Sequence, residues 1–93
     1  MQIISPTEGQ VFTLGQVVEI KAKLKDVDAI SSKAIIVTNE STDTVFMYIY
    51  DKVQNDHTLT KSFVPNATGA YNIEVSANGH AVWTIKNVVI QVD

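Results

Sequence analysis

The chain has 93 residues, an apolar share of 45%, a net charge of −3 and no cysteine. That length makes one domain with its own core and no need for metal or disulfide staples, while the apolar share argues against disorder. All seven cationic side chains are lysine; nucleic-acid binders use a basic face and arginine forks, so no nucleic-acid partner is expected.

Gln2–Ile4 is a short first strand, broken by Ser5-Pro6. A segment punctuated by Gly9 and Gly15 leads into Val17–Lys25, where Val18, Ile20, Ala22 and Leu24 alternate with Glu19, Lys21, Lys23 and Lys25. That is the period of a strand with one face buried and one wet. After a polar connection from Asp26 to Ser32, Lys33–Thr38 is a third strand whose run Ala34–Val37 is apolar throughout, as in a central strand. Asn39–Asp43 is a turn cluster. Thr44–Tyr50 is a fourth strand, dense in β-formers. Lys52–Asp56 is a turn, His57–Val64 a fifth strand with Leu59 and Phe63 on one face, and Pro65–Gly69 closes it. Ala70–Ala77 is a sixth, with Tyr71, Ile73, Val75 and Ala77 alternating against Asn72, Glu74 and Ser76. A seventh ends the chain with Val88, Ile90 and Val92 inward.

Seven short strands with regular turn signals and no helical period predict an all-β fold: a seven-stranded antiparallel immunoglobulin-like, or fibronectin III-like, β-sandwich spanning residues 1–93. Tyr71, two residues before the inward Ile73, is placed for a tyrosine corner, its hydroxyl returning to the backbone of the preceding turn. The expected core is Val18, Ile20, Leu24, Ile36, Leu59, Phe63, Tyr71, Ile73, Val75, Val88, Ile90 and Val92. The paired cysteines and the third-strand tryptophan of antibody domains are absent.

Ser5-Pro6-x-x-Gly9-x-x-Phe12-x-x-Gly15 with Val18-x-Ile20-x-Ala22, and Gly69-x-Tyr71-x-Ile73-x-Val75 with Val88-x-Ile90-x-Val92, resemble the two ends of bacterial immunoglobulin-like modules of secreted and surface lipoproteins, often of the Bacteroidetes type. The resemblance implies an extracytoplasmic location, in the periplasm or at the cell surface, and a spacer, adhesive or carbohydrate-associated role. It carries over no catalytic residue. No signal peptide is read at the start of the chain, which leaves a removed leader open.

Trp83 is the side chain of most interest. A two-residue turn at Asn78-Gly79 would set Glu74 opposite Trp83 and point the indole away from the core; a longer loop from Asn78 to about Thr84 also leaves it outside, and a one-residue bulge would reverse it. An outward Trp83 is either packed on a neighbour or a stacking surface for a sugar ring or protein. Phe46, Tyr48 and Tyr50 alternate with Val45, Met47 and Ile49, so both faces of the fourth strand are apolar. Trp83, Tyr48 and Tyr50 are therefore the candidate ligand-binding residues.

His57 and His80 lie far apart with no converging partners, so no metal site and no cofactor is expected. Asp26-x-Asp28 lacks the glycine and distal glutamate of a calcium loop, and Asp26, Asp28, Asp43, Asp51 and Asp56 read as turn residues bonding their own backbone. Asn39-Glu40-Ser41 and Asn66-Ala67-Thr68 fit the glycosylation pattern, which matters only in a eukaryotic secretory host. No nucleophile elbow, carboxylate pair or phosphate loop is present, so an enzyme is not expected. The leading expectation is a non-catalytic extracytoplasmic module, monomeric or weakly oligomeric, acting as a spacer or an interaction domain for a protein or polysaccharide. The alternatives are a carbohydrate-binding module and a self-assembling or adhesive subunit that pairs its sheet edges, for which an edge position of the lysine-free fourth strand would count.

Overall fold

The computed structural model describes residues 2–24, 30–41, 43–50, 58–79 and 82–93, with the side chains of 30, 31, 50 and 82 left aside. Eight strands are present among them: β1 (Gln2–Ser5), β2 (Val11–Phe12), β3 (Val18–Lys23), β4 (Ile30–Asn39), β5 (Thr44–Tyr50), β6 (Thr58–Phe63), β7 (Gly69–Gly79) and β8 (Val82–Val92). A three-stranded sheet in the order β1-β3-β6 faces a five-stranded sheet in the order β2-β8-β7-β4-β5.

The count of eight corrects the expected seven. The additional strand is β2, only two residues long, which is too short to show an alternation. It also breaks the all-antiparallel rule, because β2 runs parallel to β8, with Val11 beside Gln91 and Phe12 beside Val92. The chain leaves β1 at a cis Ser5-Pro6 peptide and crosses to the other sheet. There the amides of Gly9 and Leu14 donate to the carbonyls of Val89 and Asp93, and those of Gln91 and Asp93 donate back to Gln10 and Phe12. The Glu8 carboxylate also accepts from the Val89 amide at 2.8 Å.

One turn device, used twice, frames this segment. In Thr7-Glu8-Gly9-Gln10 and Thr13-Leu14-Gly15-Gln16 the last amide donates to the first carbonyl, at 3.0 and 2.9 Å. In each, the glutamine Oε1 accepts from the threonine amide at 3.0 Å. The glycines have φ of 77° and 87°, the positive value that the third position of a type II turn requires.

The core lies between the sheets. Val18, Ile20, Ala22, Leu24, Leu59 and Phe63 meet Ile35, Val37, Tyr71, Ile73, Val75, Ala77, Ile90 and Val92, with Phe12 at the margin. The alternation of β3 is reproduced residue for residue, buried then exposed from Val18 to Lys23. Val88 is inward and half-buried against this cluster.

Ile36 is not in the core, contrary to expectation. Ile35 and Val37 are the inward pair, opposite Val75 and Ile73, whereas Ile36 lies between Glu74 and Met47 on the other face. The run Ala34–Val37 is apolar on both parities, so hydropathy alone cannot phase it.

The tyrosine corner forms as expected. The Tyr71 hydroxyl donates to the Ala67 carbonyl at 2.7 Å. Its ring belongs to an aromatic chain across the sandwich: Phe63 lies 6.1 Å from Tyr71 and 6.0 Å from Phe46, centroid to centroid. Offset and tilted rings at such distances add to their area burial.

Gly69, which opens β7, has φ of +125°, and a Cβ built there meets the Glu40 carboxylate at 2.7 Å. That carboxylate ends an exposed, flexible side chain and can swing aside, so the backbone angle dominates the cost. Gly69→Ala is expected to lose about 1–3 kcal/mol. The loss should persist in the Glu40→Ala background when both variants are unfolded in urea; full rescue there would make the carboxylate contact the cause.

Candidate functional site on the outer face of the five-stranded sheet

Strand register decides what this face presents. Along β8, Trp83, Ile85, Asn87 and Val89 share one parity, and Ile90 and Val92, buried in the core, hold the other. Opposite residues of an antiparallel pair share a face. The outer surface is therefore built in rows across the sheet: Ile85, Ser76, Ala34 and Ile49 in one, Asn87, Glu74, Ile36 and Met47 in the next. Trp83 lies beside Asn78 at the start of β8.

The register of the β7–β8 hairpin differs from the expected one. The strands run on through the Asn78-Gly79 pair, which faces Trp83 and Val82, so Asn78-Gly79 is not the turn. Trp83 thus stands opposite Asn78 and not Glu74. A slip of an even number of residues leaves every side chain on its original face, which is why Trp83 still points outward and Ile90 and Val92 still point inward.

Trp83 is 55% exposed, and Ile85, Met47 and Ile49 are similarly open. Ala34 and Ile36 are half-buried between them. The exposed side chains form two apolar groups on this face, Trp83 with Ile85 on β8 and Met47 with Ile49 on β5; Ala34 and Ile36 of β4 adjoin the second, and Ser76 and Asn78 of β7 lie between the two. Polar side chains are interleaved with them: Glu74 and Asn87 share a row with Ile36 and Met47, and the Asn87 side-chain amide donates to Asn72 Oδ1 at 2.8 Å. Large exposed apolar side chains gathered on one face are a feature of interaction surfaces.

Tyr48 does not join Trp83. It stands opposite the buried Ile35 on the inward face of β5 and packs against the core margin, half-buried. The Lys61 ammonium, which reaches across from β6, sits 4.2 Å from its ring centroid in a cation–π arrangement. Tyr50 lies at the end of β5 opposite Lys33. Trp83 and Tyr48 thus stand on opposite faces of one sheet, and the structure does not bring these two into a shared stacking platform.

Among the turn residues, Asp43 is described. Its amide, with that of Ser41, donates to Asn39 Oδ1 at 3.0 Å, and its carbonyl accepts from the Asn39 amide. The 39–43 turn is therefore organised by the asparagine side chain. Asp26, Asp28, Asp51, Asp56, His57 and His80 lie outside the described residues. Among the described residues no group of three or more acidic or histidine side chains converges, and no helix is long and apolar enough to cross a membrane.

What sequence reasoning did not assemble is the presence of the two apolar groups on one face. Its signal was present, in Met47 and Ile49 on the second apolar face of β5 and in Ile85 two residues beyond Trp83. Joining them needs the strand order, which places β8 and β5 in one sheet.

Solved structures share this arrangement of strands. An engineered protein of known crystal structure superposes with a TM-score of 0.75 at 16% identity, over 99% of this chain and 19% of its own. The fibronectin(III)-like modules of Clostridium thermocellum CbhA superpose with a TM-score of 0.67 at 20% identity, over 99% of this chain and 45% of theirs. The fold is immunoglobulin-like, of the fibronectin III kind. This chain spans about a fifth and under half, respectively, of the lengths of these two neighbours. No family model and no curated protein matches the sequence.

Proposed function

We propose that this fibronectin III-like domain is a non-catalytic module, a spacer or interaction domain of a longer surface or periplasmic protein. Its contact surface is the outer face of the five-stranded sheet around Trp83. The observation that carries this reading is the exposure of Trp83, Ile85, Met47 and Ile49 on one face of the five-stranded sheet. Support for a modular role comes from the two structural neighbours, in both of which the matching fold is one portion of a longer chain. The absence from the sequence of a nucleophile elbow, a carboxylate pair and a phosphate loop supports a non-catalytic role. The extracytoplasmic location rests on the resemblance of the two ends of the chain to bacterial surface modules.

Trp83 is the single tryptophan, so its fluorescence reports this surface alone. The expected emission is red-shifted and readily quenched by acrylamide, and indifferent to a panel of soluble polysaccharides and to calcium. A saturable response to one polysaccharide would replace the spacer reading with a carbohydrate-binding one, in which Trp83 acts without Tyr48. Blue-shifted, protected emission would remove the proposed contact surface.

A further inference from the structure

β2 fills only one end of the sheet edge that it covers. It pairs with β8 at Gln91 and Val92. The segment before it reaches back as far as Val89, whose amide and carbonyl are taken by the Glu8 carboxylate and the Gly9 amide. β8 is eleven residues long, so its edge from Val82 to Val88 has no neighbouring strand among the described residues. Register fixes which groups lie along it. The β7–β8 ladder runs without a slip from the Gly69–Val92 pair to the Gly79–Val82 pair. Val89, Gln91 and Asp93 are the residues whose main-chain groups turn to the β2 side. That direction alternates along a pleated strand. Trp83, Ile85 and Asn87 therefore present their amides and carbonyls at the open edge, while Thr84, Lys86 and Val88 turn theirs to β7. No described residue takes the edge-facing groups.

The side chains divide in the same way. Trp83, Ile85 and Asn87 stand on the outer face, and the first two are apolar and more than half exposed. Lys86 stands on the opposite face, opposite Val75. It is exposed, and among the described residues its ammonium has neither an ion pair nor a hydrogen bond.

We propose that the open edge of β8 receives an extended segment of a partner protein, added to the five-stranded sheet in line with β2. This rests on the Trp83 face being a contact surface, and it names what that surface contacts. Amides and carbonyls recurring at every second residue match the spacing of another extended backbone. β2 already pairs in this way further along the same edge, so the sheet accepts a further strand there. Lys86 then discriminates among strands. An inward charge on an edge deters an uncharged or basic strand and favours one with a carboxylate opposite. The partner segment therefore alternates, with apolar residues beside Trp83 and Ile85 and one acidic residue opposite Lys86. The rest of it is uncharged, because a chain of net charge −3 has no general attraction for acids.

The probe is the acetylated peptide Val-Thr-Val-Glu-Val-Thr-Val on a flexible polar tail. Its order reads the same in both directions, so it fits a parallel or an antiparallel addition with its glutamate opposite Lys86. Saturable binding is expected in Trp83 fluorescence. The amides of Trp83, Ile85 and Asn87 should exchange fast in the free chain and become protected in the complex, whereas those of Thr84, Lys86 and Val88 are protected in both. Replacing the glutamate of the probe with lysine should weaken binding about two- to fivefold, and Lys86→Glu should reverse that preference. Lys86 is exposed, and circular dichroism verifies that the variant is folded. N-methylation of every second residue of the probe should abolish binding in one phase and spare it in the other, because a strand offers only one of its two edges to β8. Docking through side chains alone would show no such phase. No binding of the probe, equal binding of the two N-methylated phases, an unchanged preference in Lys86→Glu, or edge amides already protected in the free chain overturns the proposal. If Trp83 emission in the free chain is red-shifted and quenchable, any of these results leaves the contact surface standing without strand addition. Blue-shifted, protected emission removes the contact surface itself.

Discussion

Ile73→Ala is expected to lower the unfolding free energy by about 2–5 kcal/mol. Ile73 is fully buried at the middle of β7, with Val37 of β4 on one side and Val88 of β8 on the other. Truncation leaves a cavity walled by strands that are themselves held in register by ladders on both sides, so the site cannot collapse readily. Both the lost transfer term and the cavity term should therefore appear. Ile36→Ala provides the comparison. Ile36 occupies the same sheet and is of the same residue type, but it stands on the outer face between Glu74 and Met47 and is only half-buried, so its loss should be about 1 kcal/mol or less. Urea unfolding of both variants measures the difference directly. A larger loss for Ile36→Ala than for Ile73→Ala would mean that the two faces of β4 and β7 have been exchanged; a loss of under about 0.5 kcal/mol for Ile73→Ala would exclude it from the core.

That comparison separates what alternation encodes from what it does not. β3 carries a strict period of two, and its burial follows letter for letter from Val18 to Lys23. β5 was delimited correctly as Thr44–Tyr50 because β-formers fill it and turn residues bound it. β4 offers no such phase, since Ala34, Ile35, Ile36 and Val37 are all apolar, and its inward residues are set by the neighbours that β7 supplies. β2 was illegible for a different reason: its two residues owe their strand geometry to hydrogen bonds with β8, some 80 positions away in sequence, as in the contact of Glu8 with Val89 81 residues on. The candidate site divides along the same line. The outward direction of Trp83 was readable, because parity survives an even slip of the hairpin. Its separation from Tyr48 was not, because which face of a doubly apolar strand turns inward depends on a partner strand. Nor does any local pattern disclose that Ile85, Ala34 and Ile49 form one row, a fact of strand order alone.

Tyr71 combines both kinds of information, and its substitution allows the two parts to be weighed separately. Tyr71→Ala is expected to cost about 3–5 kcal/mol, a loss typical of removing a buried aromatic ring. The ring is almost completely enclosed and touches the Phe63 ring, which in turn meets Phe46, so its removal opens the aromatic chain linking β5, β6 and β7. Domains of this kind have a total stability of roughly 5–15 kcal/mol, and such a loss leaves the variant near the limit of folding at physiological temperature. Tyr71→Phe retains the ring and deletes only the hydroxyl that donates to the Ala67 carbonyl at 2.7 Å. Ala67 is exposed, so water can replace the lost donor at that carbonyl, and the expected cost is about 1 kcal/mol. The signature is therefore a large gap between the alanine and phenylalanine variants in urea midpoint, with the slope of the transition unchanged. A phenylalanine variant as damaged as the alanine one would assign the stabilisation to the hydroxyl and its hold on the 65–69 turn. A phenylalanine variant indistinguishable from the unmodified chain would leave the corner bond with no net contribution and the ring with all of it.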